Sequence, residues 1–302
     1  MTNCCRADIK EAKTDGRFDH LVKKHPCFNG EAHFKYGRIH LPVSPECNIQ
    51  CKFCKRSMNK TENRPGVAGE ILSPREAIEM VDKALELCPE ITVVGVAGPG
   101  DALASPSALE TFELLNRKHP QLIKCLSTNG LMLDKYAERI INSGIQTVSV
   151  TINAVDPGIL QDICSGVVIN GSYIEGSEGA KRLIDSQISG IRKLSESGIA
   201  VKVNTVLIPG LNDVHIEEIA RVASKAGASI MNIIPLIPQN QMANFRPPDC
   251  NELNNARMAA EKYLNVFRHC RQCRADACGI PGNGRDIAGL MYDFPMETFS
   301  HG

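Results

Sequence analysis

RIHLPVSPECNIQCKFC, residues 38–54, decides how this chain is read. Its first six residues alternate polar and branched side chains, the mark of a strand with two different faces. A loop follows with Cys47, Cys51 and Cys54 spaced as CNIQCKFC. Three thiolates on one short loop can each bind an iron of a [4Fe–4S] cube, which ordinarily takes four cysteines. A loop supplying three leaves one iron open to a small molecule, as catalytic metal sites keep an open position. A structural zinc site and free thiols are the rival readings of the spacing.

On either side of this stretch the pattern repeats. Strand-like runs fall at 38–43, 92–97, 122–128, 147–152, 200–207 and 229–236, and a helical run follows each. Ser73-Pro74 and Ser105-Pro106 predict helix starts, with Ser as N-cap and Pro at the first helical position. Further helices are expected at 134–142 and 179–197, each ending before a glycine (Gly144, Gly198), and at 212–226 and 249–269. Six βα units argue for an α/β fold, a parallel sheet curled into a partial or complete TIM-like (β/α) barrel. The expected organisation is an N-terminal extension (1–37), a barrel (38–248), and a last helix with a C-terminal segment (249–302). The two extensions fit no βα unit and are expected to cap the barrel's mouth, the C-terminal one by folding back over it.

One parity of these strands is polar. Arg38 and His40 alternate with Ile39 and Leu41, Cys125 and Ser127 share a face, and Thr147, Ser149, Thr151 and Asn153 alternate with Val148, Val150 and Ile152. Lys202 and Asn204 alternate with Val201 and Val203. Barrel interiors are ordinarily filled by bulky branched residues. A polar lumen therefore predicts a ligand inside, against the alternative of a solvated mouth.

Bulk properties exclude several classes. The 302 residues are 43% hydrophobic and 23% charged, with zero formal net charge, so no basic nucleic-acid footprint is present. No run reaches the roughly 20 apolar residues of a membrane span. The polar N-terminus lacks the apolar region of a signal peptide, which predicts a cytoplasmic protein. Thirteen cysteines, an odd number, fit metal ligation better than a complete disulfide framework there.

The cluster loop after the first strand resembles that of the radical S-adenosylmethionine (SAM) superfamily. The resemblance implies that SAM binds the open iron through its amino and carboxylate groups and is cleaved by an electron from the cluster to methionine and a 5′-deoxyadenosyl radical. Gly98, Gly100 and Asp101 of AGPGD match the glycine-rich SAM segment in position, and Thr128, Asn153 and Asn204 at later strand ends are candidate SAM partners. Within the superfamily, an ordered set of segments over roughly residues 25–285 resembles the NifB family of nitrogenase cofactor biosynthesis proteins. The set is HPCF (25–28), CNIQCKFC, ENRPGV (62–67), AGPGD (97–101), CLSTNG (125–130), TINAVDP (151–157), IPGLND (208–213) and HCRQCRAD (269–276).

That resemblance implies an enzyme that fuses two [4Fe–4S] clusters into an eight-iron core, with a SAM-derived carbide and an added sulfur. It implies three [4Fe–4S] clusters, one SAM-binding and two substrate. Cys27, His40 and Cys125 would hold the first substrate cluster. Cys270 and Cys273 would hold the second, with Cys278 a possible third ligand; zinc and a redox dithiol are the other readings of that CxxC pair. Arg271 and Arg274 would favour an anionic cluster, and Glu62 and Arg64 would form a catalytic lid element. Implied partners are iron–sulfur donor proteins, a reductant such as a ferredoxin or flavodoxin, and a cofactor carrier or scaffold. Many family members carry a further C-terminal carrier domain; this chain is expected to be a short form without it. Another radical SAM maturase with auxiliary clusters and a non-catalytic iron–sulfur carrier are the competing functions.

Overall fold

The six alternating runs become parallel strands of one sheet: β1 (Gly37–His40), β5 (Ile91–Val96), β6 (Ile123–Thr128), β7 (Thr147–Thr151), β10 (Ala200–Leu207) and β11 (Ile230–Pro235). The computed structural model describes residues 16–291. Cys4 and Cys5 and the outer parts of both extensions lie outside the described residues. Each strand pairs in parallel with the next, in the order β1-β5-β6-β7-β10-β11. A short parallel strand, β12 (Asn265–Val266), continues past β11; beyond β1 the antiparallel β13 (Cys278–Ile280) and β14 (Arg285–Asp286) form the other edge. The two edges do not pair, so the barrel is partial.

Side-chain parity sets this register. Ile39, Leu41, Val94, Val96, Leu126, Val148, Val150, Val201 and Val203 join one apolar core with helix residues such as Val81, Phe112, Ile140, Ile191 and Ile219. Fully burying one such side chain stabilises by about 1.5–3 kcal/mol. A one-residue slip would turn every branched residue of a strand inward and every polar one outward.

The helices follow their predicted caps in part. Ser73 caps Pro74–Leu87 in a capping box with Glu76. The second Ser-Pro pair behaves differently: the helix is Ser107–Lys118, Pro106 is its N-cap, and the buried Ser105 hydroxyl has no partner among the described residues. The helix expected over 249–269 is Cys250–Ala260. Its buried apolar residues, Leu253, Ala256 and Ala260, end there, and Asn265–Val266 gains sheet hydrogen bonds as β12 instead. A 3₁₀ turn, Asp213–His215, precedes the helix Ile216–Ala226, which closes on Gly227 at φ 103°.

A second sheet has no counterpart in the expectations. β2 (Ile49–Cys51), within the cluster motif, pairs with β8 (Cys164–Ile169), which turns through Asn170 (φ 50°) and Gly171 (φ 79°) into β9 (Ser172–Glu175). The small pair β3 (Ser57–Met58) and β4 (Val67–Ala68) frames the segment after the motif.

The extensions close the barrel at different places. Phe18, Leu21, Val22 and Phe28 pack on Val93, Ile123, Ala200 and Ile230, at or near the starts of their strands. The N-terminal segment therefore forms the floor, not a cap on the mouth. The C-terminal segment spans the open seam: Gln272 donates to the carbonyl of Pro235 at the end of β11, while His40 at the end of β1 meets the Arg274 carbonyl.

Candidate functional site

The polar strand parity encloses a cavity of about 360 Å³. Arg38, His40, Cys125, Ser127, Ser149, Thr151, Lys202 and Asn204 line it, together with the motif cysteines at the mouth and Cys27, Cys270 and Cys273 toward the floor and seam.

At the mouth, backbone contacts shape the cysteine loop. Gly100 N–H donates to the Ser44 carbonyl and Asp101 N–H to the Glu46 carbonyl, both at 2.7 Å. A Cβ on Gly100 would stand 1.9 Å from the Glu46 oxygen, so only glycine admits this approach. Cys54 N–H closes a turn on the Cys51 carbonyl at 3.1 Å. Asn129 donates to Asn48 Oδ1 at 2.7 Å and approaches Cys47 Sγ at 3.9 Å. Burial pushes the Cys47 thiol up to about 11. The Cys51 thiol is raised well above its usual range by hydrogen bonding with Cys164, its cross-strand neighbour, and by burial. Cys164 itself donates to the Gly166 carbonyl at 3.4 Å. Three free thiols on one turn, facing one cavity, fit a [4Fe–4S] cluster with one iron left for SAM.

At the far end, Cys27, Cys125 and Cys270 pack against the floor core. Cys273 Sγ accepts from Arg38 Nη2 at 3.0 Å. His40 Nδ1 lies 3.1 Å from the Arg274 carbonyl. A carbonyl only accepts, so Nδ1 carries the proton and Nε2 keeps its lone pair, as metal-bound histidines require. Burial lowers His40 to about 4, which keeps it neutral. Burial raises Cys27 to about 12, against the opposing pull of Lys202 and Arg38.

The candidate SAM residues separate into two groups. Asp101 accepts from Asn129 N, Leu103 N and the Thr128 hydroxyl, and Thr128 Oγ1 in turn accepts from Gly130 N. Asp101, Thr128 and Gly100 thus line the cavity while bracing its walls. Gly98 is not a lining residue; it lies behind the wall, against Ala275. Asn153 and Asn204 line the cavity with polar capacity left over: Asn153 Oδ1 takes the Val206 N–H and Asn204 Oδ1 the Asn232 amide, leaving each side-chain NH₂ without a protein partner in the hydrogen bonds of the described residues.

Cys278, Glu62 and Arg274 lie outside the cavity wall. Cys278 is turned away from the cavity: it stands opposite Ile39 in the β1–β13 ladder, and both side chains enter the apolar core. Burial raises its thiol to about 12. Arg64 lines the cavity and is held by Glu62, Ser57 Oγ and the Lys55 carbonyl, but Glu62 is partly exposed and outside the cavity wall. Arg274 is engaged by Asp276 and by the carbonyls of Glu62 and Asn59, tying the ENRPGV segment to the seam; Arg271 lines the cavity. Two lining histidines carried no expectation. His25 Nδ1 accepts the Cys27 N–H, His33 Nδ1 meets the Pro26 carbonyl, and both Nε2 atoms are buried without a hydrogen-bond partner among the described residues. For His25 the signal is its place in HPCF, two residues before Cys27.

Comparison with known proteins agrees with this geometry. The radical SAM superfamily pattern matches residues 41–223. The FeMo cofactor biosynthesis protein NifB of Methanocaldococcus infernus is 50% identical over 266 residues, covering 87% of this chain and 88% of that protein. The chain belongs to the NifB family. The NifB of Methanocaldococcus jannaschii is 49% identical over 294 residues, covering 94% and 98% of the two chains. Against the NifB of Chlorobaculum tepidum, at 42% identity, the match covers 86% of this chain and 62% of the longer relative. A radical SAM methyltransferase from Sphaerobacter thermophilus superposes with a TM-score of 0.57 at 18% identity, over 79% of this chain and 69% of that one, and shares the fold. As a NifB-family radical SAM protein, the chain acts in FeMo-cofactor biosynthesis and takes a [4Fe–4S] cluster and SAM. No helix among the described residues is long and apolar enough to cross a membrane.

Proposed function

We propose that this chain fuses two [4Fe–4S] substrate clusters into an eight-iron core around a carbide drawn from SAM, with one sulfur added. The observation that carries this reading is the sharing of one cavity by two separate thiol sets. One is the three-cysteine loop at the mouth; the other comprises Cys27, Cys125, Cys270 and Cys273 with His40. An electron-transfer module or passive carrier has no need of the second set inside a barrel that also holds the first.

The resident cluster and SAM supply, when bound, the methyl group and the 5′-deoxyadenosyl radical that the chemistry needs. The chain's residues bind, orient and enclose. Cys47, Cys51 and Cys54 hold the resident cluster, and Asn153 and Asn204 have NH₂ groups to offer SAM. Cys27, Cys125 and His40 hold the first substrate cluster, with the His40 tautomer already set for ligation by the Arg274 carbonyl. An imidazole is a weaker anchor than a thiolate, so His40 releases its iron as the clusters merge. Cys270 and Cys273 hold the second substrate cluster from the seam segment. Iron–sulfur donor proteins, a ferredoxin- or flavodoxin-type reductant and a carrier for the product complete the proposed cycle.

The test is incubation of the reduced, reconstituted chain with SAM. Formation of both 5′-deoxyadenosine and S-adenosylhomocysteine without any added peptide, from a protein carrying about twelve irons, is the expected result. An iron content near four, or no deoxyadenosine, overturns the proposal.

A further inference from the structure

Lys202 rises from β10 into the cavity and is 5% exposed. Its Nζ donates to the Cys27 carbonyl at 3.0 Å and lies 4.7 Å from the Phe28 ring centroid and 5.8 Å from that of Phe267. Among the described residues no carboxylate lies within ion-pair distance of it. One carbonyl and two aromatic faces replace only part of an ammonium's hydration. A buried charge without a counter-charge is unfavourable. Cys27, Cys125, His25 and His40 line the same cavity as Lys202. Three of those four are the ligand set proposed for the first substrate cluster. Arg38, the other buried cation of this region, is already joined to Cys273 and the Gly279 carbonyl.

We propose that Lys202 is the counter-charge of the first substrate cluster: a positioning residue that holds Cys27 by its carbonyl and stabilises the cluster's reduced state. The inference rests on the cluster assignment made under the proposed function. A doubly positive [4Fe–4S] core with two thiolates and a neutral imidazole sums to zero formal charge. Adding one electron makes the assembly anionic, beside an ammonium that the folded chain leaves uncompensated. Coulomb attraction in a poorly hydrated cavity favours that reduced form and raises its potential. The same charge opposes escape of the loaded cluster once it is reduced.

The experiment is a redox titration of the full, reconstituted chain followed by electron paramagnetic resonance, in the unsubstituted protein and in Lys202→Met and Lys202→Arg. One auxiliary cluster should shift to a more negative potential in Lys202→Met and return toward the original value in Lys202→Arg, while the SAM-binding cluster stays unmoved. Equal potentials in the unsubstituted and Met chains overturn the inference. Should Lys202→Met lose about four irons per chain that Lys202→Arg keeps, with the SAM-cluster signal intact in both, the charge is required for retention and the inference stands. Loss in both variants overturns it. An unsubstituted chain that loads no auxiliary cluster overturns the proposed function itself, and is distinguished because the defect precedes any substitution at Lys202.

Discussion

The Asp101 carboxylate and the Asn129 amide N–H meet at 2.5 Å, joining the loop after β5 to the loop after β6 beneath the cysteine motif. The same carboxylate takes Leu103 N–H and the Thr128 hydroxyl. It is buried, and desolvation raises its pKa against those hydrogen bonds. Asp101→Ala would leave buried donors unmatched, each worth about 1–3 kcal/mol. The expected loss is about 3 kcal/mol or more by denaturant titration of the apo chain, with Asp101→Asn intermediate. An Asp101→Ala chain of unchanged stability would show that the carboxylate braces nothing.

Gly100→Ala places a methyl against the Glu46 carbonyl and must displace the segment carrying Cys47. Reconstituted Gly100→Ala should lose the SAM-cluster signal. Gly171→Ala is the contrast: its added methyl meets nothing within 4 Å, so only the left-handed backbone (φ 79°) resists it, at about 1–2 kcal/mol. Its iron content should be unchanged.

Cys278 and Cys125 should separate in one pair of variants. Cys278→Ala should retain full iron and lose about 1 kcal/mol of stability through a small core cavity. Cys125→Ala and Cys27→Ala should still cleave SAM but make no eight-iron core. A Cys278→Ala chain lacking an auxiliary cluster would return that residue to the ligand set.

Acid should weaken the apo fold. Burial lowers His33 and His40 to about 4 and His25 well below its ordinary 6.5. Between pH 4 and 6.5 the unfolded chain takes up protons that the folded chain refuses. Their contribution is therefore present above about 6.5 and is lost as pH falls toward 4, on the order of 2–3 kcal/mol for each of His33 and His40. Calorimetry should show a falling melting temperature across that window, with a shallower slope in His33→Gln. A flat profile would refute the assignment.

Much of the barrel and of its site was legible because both depend on period-two alternation. Ile39, Leu41 and Val150 had to face helices, which left His40, Cys125 and Lys202 for the lumen. Where local pattern did not decide, reading failed. Cys278 looks like a ligand in HCRQCRADAC, but only its pairing with Ile39 shows which way it turns. The β2–β8–β9 sheet hid inside a metal motif and a polar stretch, although Asn170-Gly171 carries the hairpin signal. The cation–carbonyl contact between Lys202 and Cys27 joins residues 175 positions apart, beyond any local signal.

The seam filled by residues 267–277 sets the order of manufacture. This staple between β11 and β1 leaves the ribosome after every barrel strand it bridges, so a nascent chain has walls before it has a clasp. Cys270 and Cys273 ride on that late-made stretch, so the wall of the cavity is complete only once it has closed.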